Sequence, residues 1–403
     1  MTEIWALAAL WLGLAFIAAL FAVWFRVSTA LTEIIVGMIA GFLLTLFVGP
    51  NVLGTDLVWV KFLAGAGAIV LTFLAGAELD PIVFRKNWKE ATAVGLIGFF
   101  APFFGCAAVA YFLLHWGTQQ SWLAGVALST TSVAVVYAVM LEYGLNKTDY
   151  GKIVLAACFV NDLGTVLALG FIFAPFTLRT LAFAVVAIAV FFVLPWLTPR
   201  LFKLYGNRPS ELETKYLLLV LFGLGALAAW AESEAVLPAY IVGMLLAGTV
   251  GKDHALIRRL RTLTLGLLTP FYFLRAGSFV SIPALVAAPV AFLVLLLGKM
   301  ATKFVGVFPA TKVFGAPQKE AMYTTLLMST GLTFGTISAL FGLSHGIIDQ
   351  SQYTVVVAGV VASAVVPTLV ANAFFLPHHL LPQEESEEAE LEKVPTPLRR
   401  KAV

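Results

Sequence analysis

Apolar stretches of about twenty residues, divided by short polar breaks, run along nearly the whole chain. A bilayer-spanning helix needs about 20 consecutive apolar residues, so the pattern predicts thirteen membrane helices. The expected spans are 4–25, 31–49, 57–79, 91–115, 121–143, 150–174, 178–199, 213–231, 233–250, 261–280, 284–306, 320–343 and 351–376. The division between the eighth and ninth is the least marked. The first segment, Ile4 to Phe25, is too long for a signal-peptide core and lacks a basic leader, so it is expected as a retained helix. Two helices are interrupted by hydroxyl residues near their middles. The fifth carries Leu128-Ser129-Thr130-Thr131-Ser132, and the twelfth Met328-Ser329-Thr330-Gly331-Leu332-Thr333.

Composition agrees with this reading. Of 403 residues, 61% are hydrophobic and 12% charged, against about 45–50% and about 25% in soluble domains. A soluble protein is excluded, and nothing suggests a nucleic-acid partner. Lys and Arg gather after helices three (Arg85, Lys86, Lys89), five (Lys147), seven (Arg200, Lys203, Arg208), nine (Lys252, Arg258, Arg259, Arg261) and eleven (Lys312, Lys319), and in the tail. The alternate loops carry almost none. By the positive-inside rule the N-terminus lies outside and the C-terminus in the cytoplasm, as expected for a bacterial inner-membrane protein. Residues 1–381 form one transmembrane domain, and 382–403 are expected to be a disordered cytoplasmic tail, acidic and then basic. That tail is too short for a nucleotide-binding regulatory domain. Cys106 and Cys158 both fall in apolar segments and imply neither disulfide nor metal framework.

The two interrupted helices form part of an internal repeat. Asp162 follows Ser129 by 33 residues, and Ser363 follows Ser329 by 34. Since helix direction alternates, helices four to six and eleven to thirteen have opposite topology. That is the inverted-repeat plan of secondary transporters, whose sites lie at broken helices near the midplane.

Asp162 lies near the middle of the sixth helix, inside Val160-Asn161-Asp162-Leu163. A charged Asp at the bilayer centre costs at least about 2.5–3.5 kcal/mol. An Asp facing an aqueous cavity can exchange a proton for a monovalent cation, whereas a structural Asp would be satisfied by Thr or backbone donors. Asn161 cannot titrate, but offers hydrogen bonds or a carbonyl oxygen. Thr130, Thr131 and Ser132 have two readings: hydroxyls bonded back to the preceding turn, or hard oxygen ligands freed by a broken helix. Lys299 and Lys303, four apart, share a helix face. They either snorkel to the boundary or balance charge around Asp162 and the broken ends. Arg275 reads as a structural clamp or a deep counter-charge. Glu78 and Asp80 close the third helix as boundary carboxylates or accessory groups, and Glu33 opens the second as an N-terminal helix charge. No phosphate loop, dinucleotide fingerprint, metal quartet or nucleophile triad occurs, so neither an enzyme nor a bound cofactor is expected.

Taken together, Phe73-Leu-Ala-Gly-Ala-Glu-Leu-Asp80, Thr131-Ser132, Asn161-Asp162, Phe271-Tyr-Phe-Leu-Arg-Ala-Gly277 and Lys303-Phe-Val-Gly306 resemble the cation:proton antiporter superfamily. The branch is the second, with sodium/proton antiporters and Kef-type potassium/proton systems, and the likeness covers about residues 5–376. The resemblance implies the sodium/proton antiporter fold with two crossed discontinuous helices. It implies a homodimer, dimerisation helices, and a mobile core from helices near 91–174 and 284–376 moving like an elevator. It also implies that Asp162 binds the transported Na⁺ or K⁺ and the proton alternately, with Asn161, Thr131 and Ser132 around it. Thr130 and Glu78 would be accessory, and Lys303, Lys299 or Arg275 would balance charge. Two departures stand out. Electrogenic relatives carry Asp-Asp where this chain has Asn161-Asp162, which predicts electroneutral exchange. Many relatives carry Arg-Gly-Glu in the twelfth helix, where this chain has Thr330-Gly331-Leu332. The alternatives are a gated potassium efflux channel with a regulatory subunit, or a sodium-coupled symporter of organic anions with Arg275 as the anion group.

Overall fold

In a computed structural model the described residues are 2–25, 28–49, 52–77, 81–172, 177–206, 210–233, 236–280 and 282–381, and among them every regular element is helical. The first half holds α1 (Thr2–Phe25), α2 (Thr29–Phe47), α3 (Val58–Ala77), α4 (Pro81–Phe112), α5 (Thr118–Ser129), α6 (Val133–Glu142), α7 (Asp149–Ile172) and α8 (Leu178–Tyr205). The second holds α9 (Leu212–Trp230), α10 (Val236–Leu246), α11 (His254–Leu263), α12 (Thr269–Ser278), α13 (Ile282–Ala287), α14 (Pro289–Val313), α15 (Gln318–Met328), α16 (Thr333–Ser344) and α17 (Gln350–Val370). The expected tail, from Pro382 onwards, lies outside the described residues, as do Glu78 and Asp80.

Among the described residues every predicted window contains helix, and eleven segments are long and apolar enough to cross a bilayer. The other two are modified. The ninth contains only the 11 residues of α10, about 16 Å at 1.5 Å per residue. The tenth is a composite of α11, a π-turn at Thr264–Leu268, and α12. Pro270 has no N–H for the carbonyl four residues before it, and a wider turn just upstream accommodates the loss. The eleventh window is broken at Ala288 (φ −130°, ψ 53°), because Pro289 disfavours helical backbone in the residue preceding it. The fourth begins earlier than expected, since a polar piece from Pro81 joins it through a kink at Asn87.

The helices pack in two groups. One comprises α4–α7 with α14–α17, and the other α1–α3 with α8–α12. They meet where α6 touches α2 and α3, α17 touches α2, and α10 touches α7. Within the second group small residues permit backbone contact, as membrane helix packing requires where lipid supplies no hydrophobic drive. A Cβ on Gly37 would collide with the Leu274 carbonyl, and one on Gly277 with the Ile34 carbonyl, so α2 and α12 touch through both glycines. Gly277→Ala therefore forces two backbones apart. The expected cost is at the upper end of the ~1–3 kcal/mol of overpacked cores. Gly13→Ala, where a Cβ meets nothing within 4 Å, is the control. Thermal midpoints of the detergent-solubilised variants check this: Gly277→Ala melts well below wild type and Gly13→Ala does not.

Candidate functional site

Both helix interruptions occur where the hydroxyl pattern predicts them. α5 stops at Ser129, and Thr130 continues as extended backbone (φ −60°, ψ 147°). Ser132 (φ −90°, ψ 106°) then N-caps α6, its Oγ accepting from the Val135 N–H at 3.4 Å. In the second repeat α15 ends at Met328, and α16 begins after Leu332 (φ −153°, ψ −75°). Hydroxyls next to the breaks donate to carbonyls of the preceding turn: Ser129 to Val126 at 2.8 Å, Thr130 to Ala127 at 3.1 Å, Ser329 to Thr325 at 2.8 Å and Thr330 to Leu327 at 2.8 Å. They offset the acceptors that a helix end leaves unpaired. Of the two readings for Thr130, bonding back to the turn is the one adopted.

Thr131 and Ser132 act differently, because they join the repeats. The Thr131 hydroxyl donates to the Met328 carbonyl at 2.6 Å, and the Ser132 N–H to the Thr330 carbonyl at 3.2 Å. The two breaks therefore cross in direct contact. The Ser132 and Thr333 hydroxyls lie 3.4 Å apart, and Tyr272 of α12 bonds the Thr333 hydroxyl.

α7 carries Asn161 and Asp162 to this crossing. Asn161 is fully buried, and its side-chain oxygen accepts the Thr131 N–H at 2.8 Å. Its oxygen is thus engaged by backbone, while its Nδ2 is buried without a partner. Asp162 is 4% exposed. The Val133 N–H, the first of α6, lies against its carboxylate. That is the favourable end of the helix dipole for an anion. The other carboxylate oxygen, Oδ1, is buried and makes no hydrogen bond.

Lys299 and Lys303 project from α14 into the same region, and both are 0% exposed. Snorkelling to the boundary is therefore excluded for both. Lys303 Nζ donates to Thr131 Oγ1 at 2.8 Å, and Lys299 Nζ to Ser363 Oγ at 2.9 Å. Neither forms an ion pair with Asp162 among the described residues. Two lysine amines thus sit beside the crossed breaks, one against each repeat.

Not every expected residue joins the site. Arg275 binds elsewhere: its Nε donates to the Thr55 carbonyl at 2.8 Å, Asp56 lies 4.0 Å away, and Phe279 stacks below at 4.6 Å. It clamps the loop after α2 and is not brought to Asp162. Glu33 is buried in α2, but the N-terminus of that helix is capped by Glu142, which accepts the Thr29 N–H at 2.6 Å. Glu78 falls outside the described residues. Cys106 and Cys158 are free and buried. Tyr272, Thr333 and the Met328 carbonyl complete the crossing and were not expected. Tyr272 stands in the stretch singled out for Arg275, three residues earlier, and Thr333 in the interrupted twelfth helix.

A cavity of about 280 Å³ opens beside the Phe314–Pro317 turn and reaches Ala157, one helical turn before Asn161. Glu90, Tyr150, Glu320 and Thr324 give its wall a polar side, and Val94, Ile153, Val154 and Ala157 an apolar one; Asp162 does not line it.

Crossed, interrupted helices within opposite-facing repeats define a multi-pass membrane protein of the sodium/proton antiporter fold. The chain belongs to the sodium/hydrogen exchanger family, whose transmembrane model matches residues 12–375. It is 26% identical over 352 residues to "Probable Na(+)/H(+) antiporter 3" of Methanocaldococcus jannaschii, covering 84% of this chain and 89% of that one. It is 24% identical over 365 residues to "Na(+)/H(+) antiporter" of Enterococcus hirae, covering 87% and 92%. A third relative, the glutathione-regulated potassium-efflux system protein KefC of Salmonella arizonae, is 26% identical over 340 residues. There the match covers 77% of this chain but only 52% of the relative. Among solved structures, the sodium proton antiporter MjNhaP1 of M. jannaschii superposes with a TM-score of 0.67 at 17% identity, over 94% of this chain and 99% of that one.

Proposed function

We propose that this protein exchanges a monovalent cation, Na⁺ or K⁺, for a proton across the membrane, with Asp162 as their shared seat. The observation that carries the reading is the Asp162 carboxylate: buried, with one oxygen unpartnered, beside a helix break. Leaving such an acceptor unmade is costly, and an alkali cation or a proton would satisfy it in turn. Ser132 and the opened backbone supply neighbouring oxygens. Asn161 holds the break through the Thr131 N–H, and Lys303 offsets charge from the opposite side. The names of the sodium/proton antiporter relatives point to the same activity.

The exchange is electroneutral in this account, because one titrating carboxylate serves one cation and one proton. The α4–α7 and α14–α17 group slides as an elevator against α1–α3 and α8–α12, which form the dimer contact of a homodimer. The basic loops face the cytoplasm of a bacterial inner membrane, so the cavity beside Phe314 is the cytoplasmic approach. The transport machinery lies within residues 1–381.

A gated potassium channel is the second reading, favoured by the KefC likeness. It differs in requiring no proton coupling. No specific observation favours the organic-anion symporter, since Arg275 lies against Thr55 and not at the crossed breaks. Proteoliposomes holding a pH gradient separate the three. Adding Na⁺ or K⁺ outside should collapse the gradient, and organic acids should not. Cation flux that leaves the gradient intact would favour the channel and end the antiport reading. Asn161→Asp adds a second carboxylate and should make exchange respond to membrane potential. A variant as indifferent to potential as wild type would contradict the role of Asn161 in stoichiometry.

A further inference from the structure

The two repeats are equal in plan and unequal in chemistry. Where the first presents Asp162, the second presents Ser363, at nearly the same distance from its helix break. Ser363 is fully buried. Its hydroxyl donates to the Val360 carbonyl at 2.6 Å and accepts from Lys299 Nζ at 2.9 Å. The seat around that nitrogen is shaped by Gly331 in the second break. A Cβ there would collide with Lys299 Nζ, and would lie 2.8 Å from Thr130 Oγ1 and 3.2 Å from Ser363 Oγ. Two hydroxyl oxygens and one amine nitrogen thus converge on space left open by a glycine. Lys303, one turn along α14, instead addresses the first repeat through Thr131. Each lysine belongs to one repeat, and only Lys299 stands where a mobile cation would stand by symmetry.

We propose that Lys299 is a tethered cation filling the second repeat's cation seat, so that one seat, at Asp162, is left for a transported ion. The proposal deepens the reading of Asp162 given above and rests on it. An ammonium group is close to K⁺ in size and can use the same oxygens by donating to them. A plain counter-charge could be removed without creating a binding site. A tethered occupant leaves behind a seat that free cations of similar size can take.

The test uses full-length purified protein and methylammonium, which resembles the end of the lysine side chain. Measurements are made in an Asp162→Asn background, where the first seat cannot bind a cation through its carboxylate. Lys299→Ala in that background should melt lower, and saturating methylammonium should raise its midpoint by about 5 °C through binding to the folded state. Asp162→Asn alone should show no such rise. Neither should Asp162→Asn with Lys299→Met, whose thioether chain fills the vacated space. A midpoint of the Lys299→Ala protein unmoved by methylammonium, or moved equally in the Lys299→Met protein, overturns the proposal. If Lys299→Ala aggregates on solubilisation, a monodisperse species obtained only with methylammonium throughout purification supports it, and aggregation in both conditions overturns it. Failure of the Asp162 reading shows separately, as exchange retained by Asp162→Asn with Lys299 intact.

Discussion

Asp162→Asn abolishes cation-dependent proton movement in proteoliposomes, a fall of at least about 100-fold, while the purified variant still elutes as a folded species. Asn keeps the size and the acceptor for the Val133 N–H, but cannot carry a proton or a full negative charge. The side chain it replaces is nearly inaccessible and has an unpartnered oxygen, so it adds little to stability. Function should therefore fail without the fold failing. Cation-dependent proton flux persisting in this variant would remove Asp162 from the mechanism.

Thr131→Val should damage both transport and stability. The two side chains are nearly equal in volume, so packing is conserved and only the hydroxyl is lost. That hydroxyl donates to the Met328 carbonyl and accepts from Lys303 Nζ, and it is wholly buried. Its removal strands a buried carbonyl and a buried lysine amine together. Each orphaned group costs about 1–3 kcal/mol. The variant should melt markedly lower and exchange at least about tenfold more slowly. Thr131→Ser keeps the oxygen and should recover most of both. A Ser variant as impaired as the Val variant would contradict the assignment of the effect to the hydroxyl.

Much of this arrangement is written locally in the chain. Runs of apolar residues long enough for a bilayer became helices. The Ser129–Ser132 and Ser329–Gly331 clusters became breaks, because hydroxyls compete for backbone and glycine resists helix. A carboxylate in the middle of an apolar helix is equally conspicuous. The partners of long side chains are not legible in this way. Lys299 and Lys303 share a face by spacing, but their assignment to Ser363 and Thr131 depends on how α14 packs across both repeats. Arg275 looked deep in its helix, yet reaches a loop 220 residues earlier in the chain. Asn161 offers hydrogen bonds or a carbonyl oxygen by its sequence, but that its oxygen accepts the Thr131 N–H, left free by the break after α5, follows only from the packing. Glu142 caps α2 across 113 residues, a contact no local pattern announces.

Proton and cation take turns on one carboxylate in the proposed exchange. Calorimetric titration of Na⁺ or K⁺ into the purified protein, repeated in buffers of different ionisation enthalpy, counts the protons released per cation bound. The release should approach one proton per cation at mildly acidic pH and vanish in Asp162→Asn. Cation binding without proton release, or release undiminished in Asp162→Asn, would contradict it.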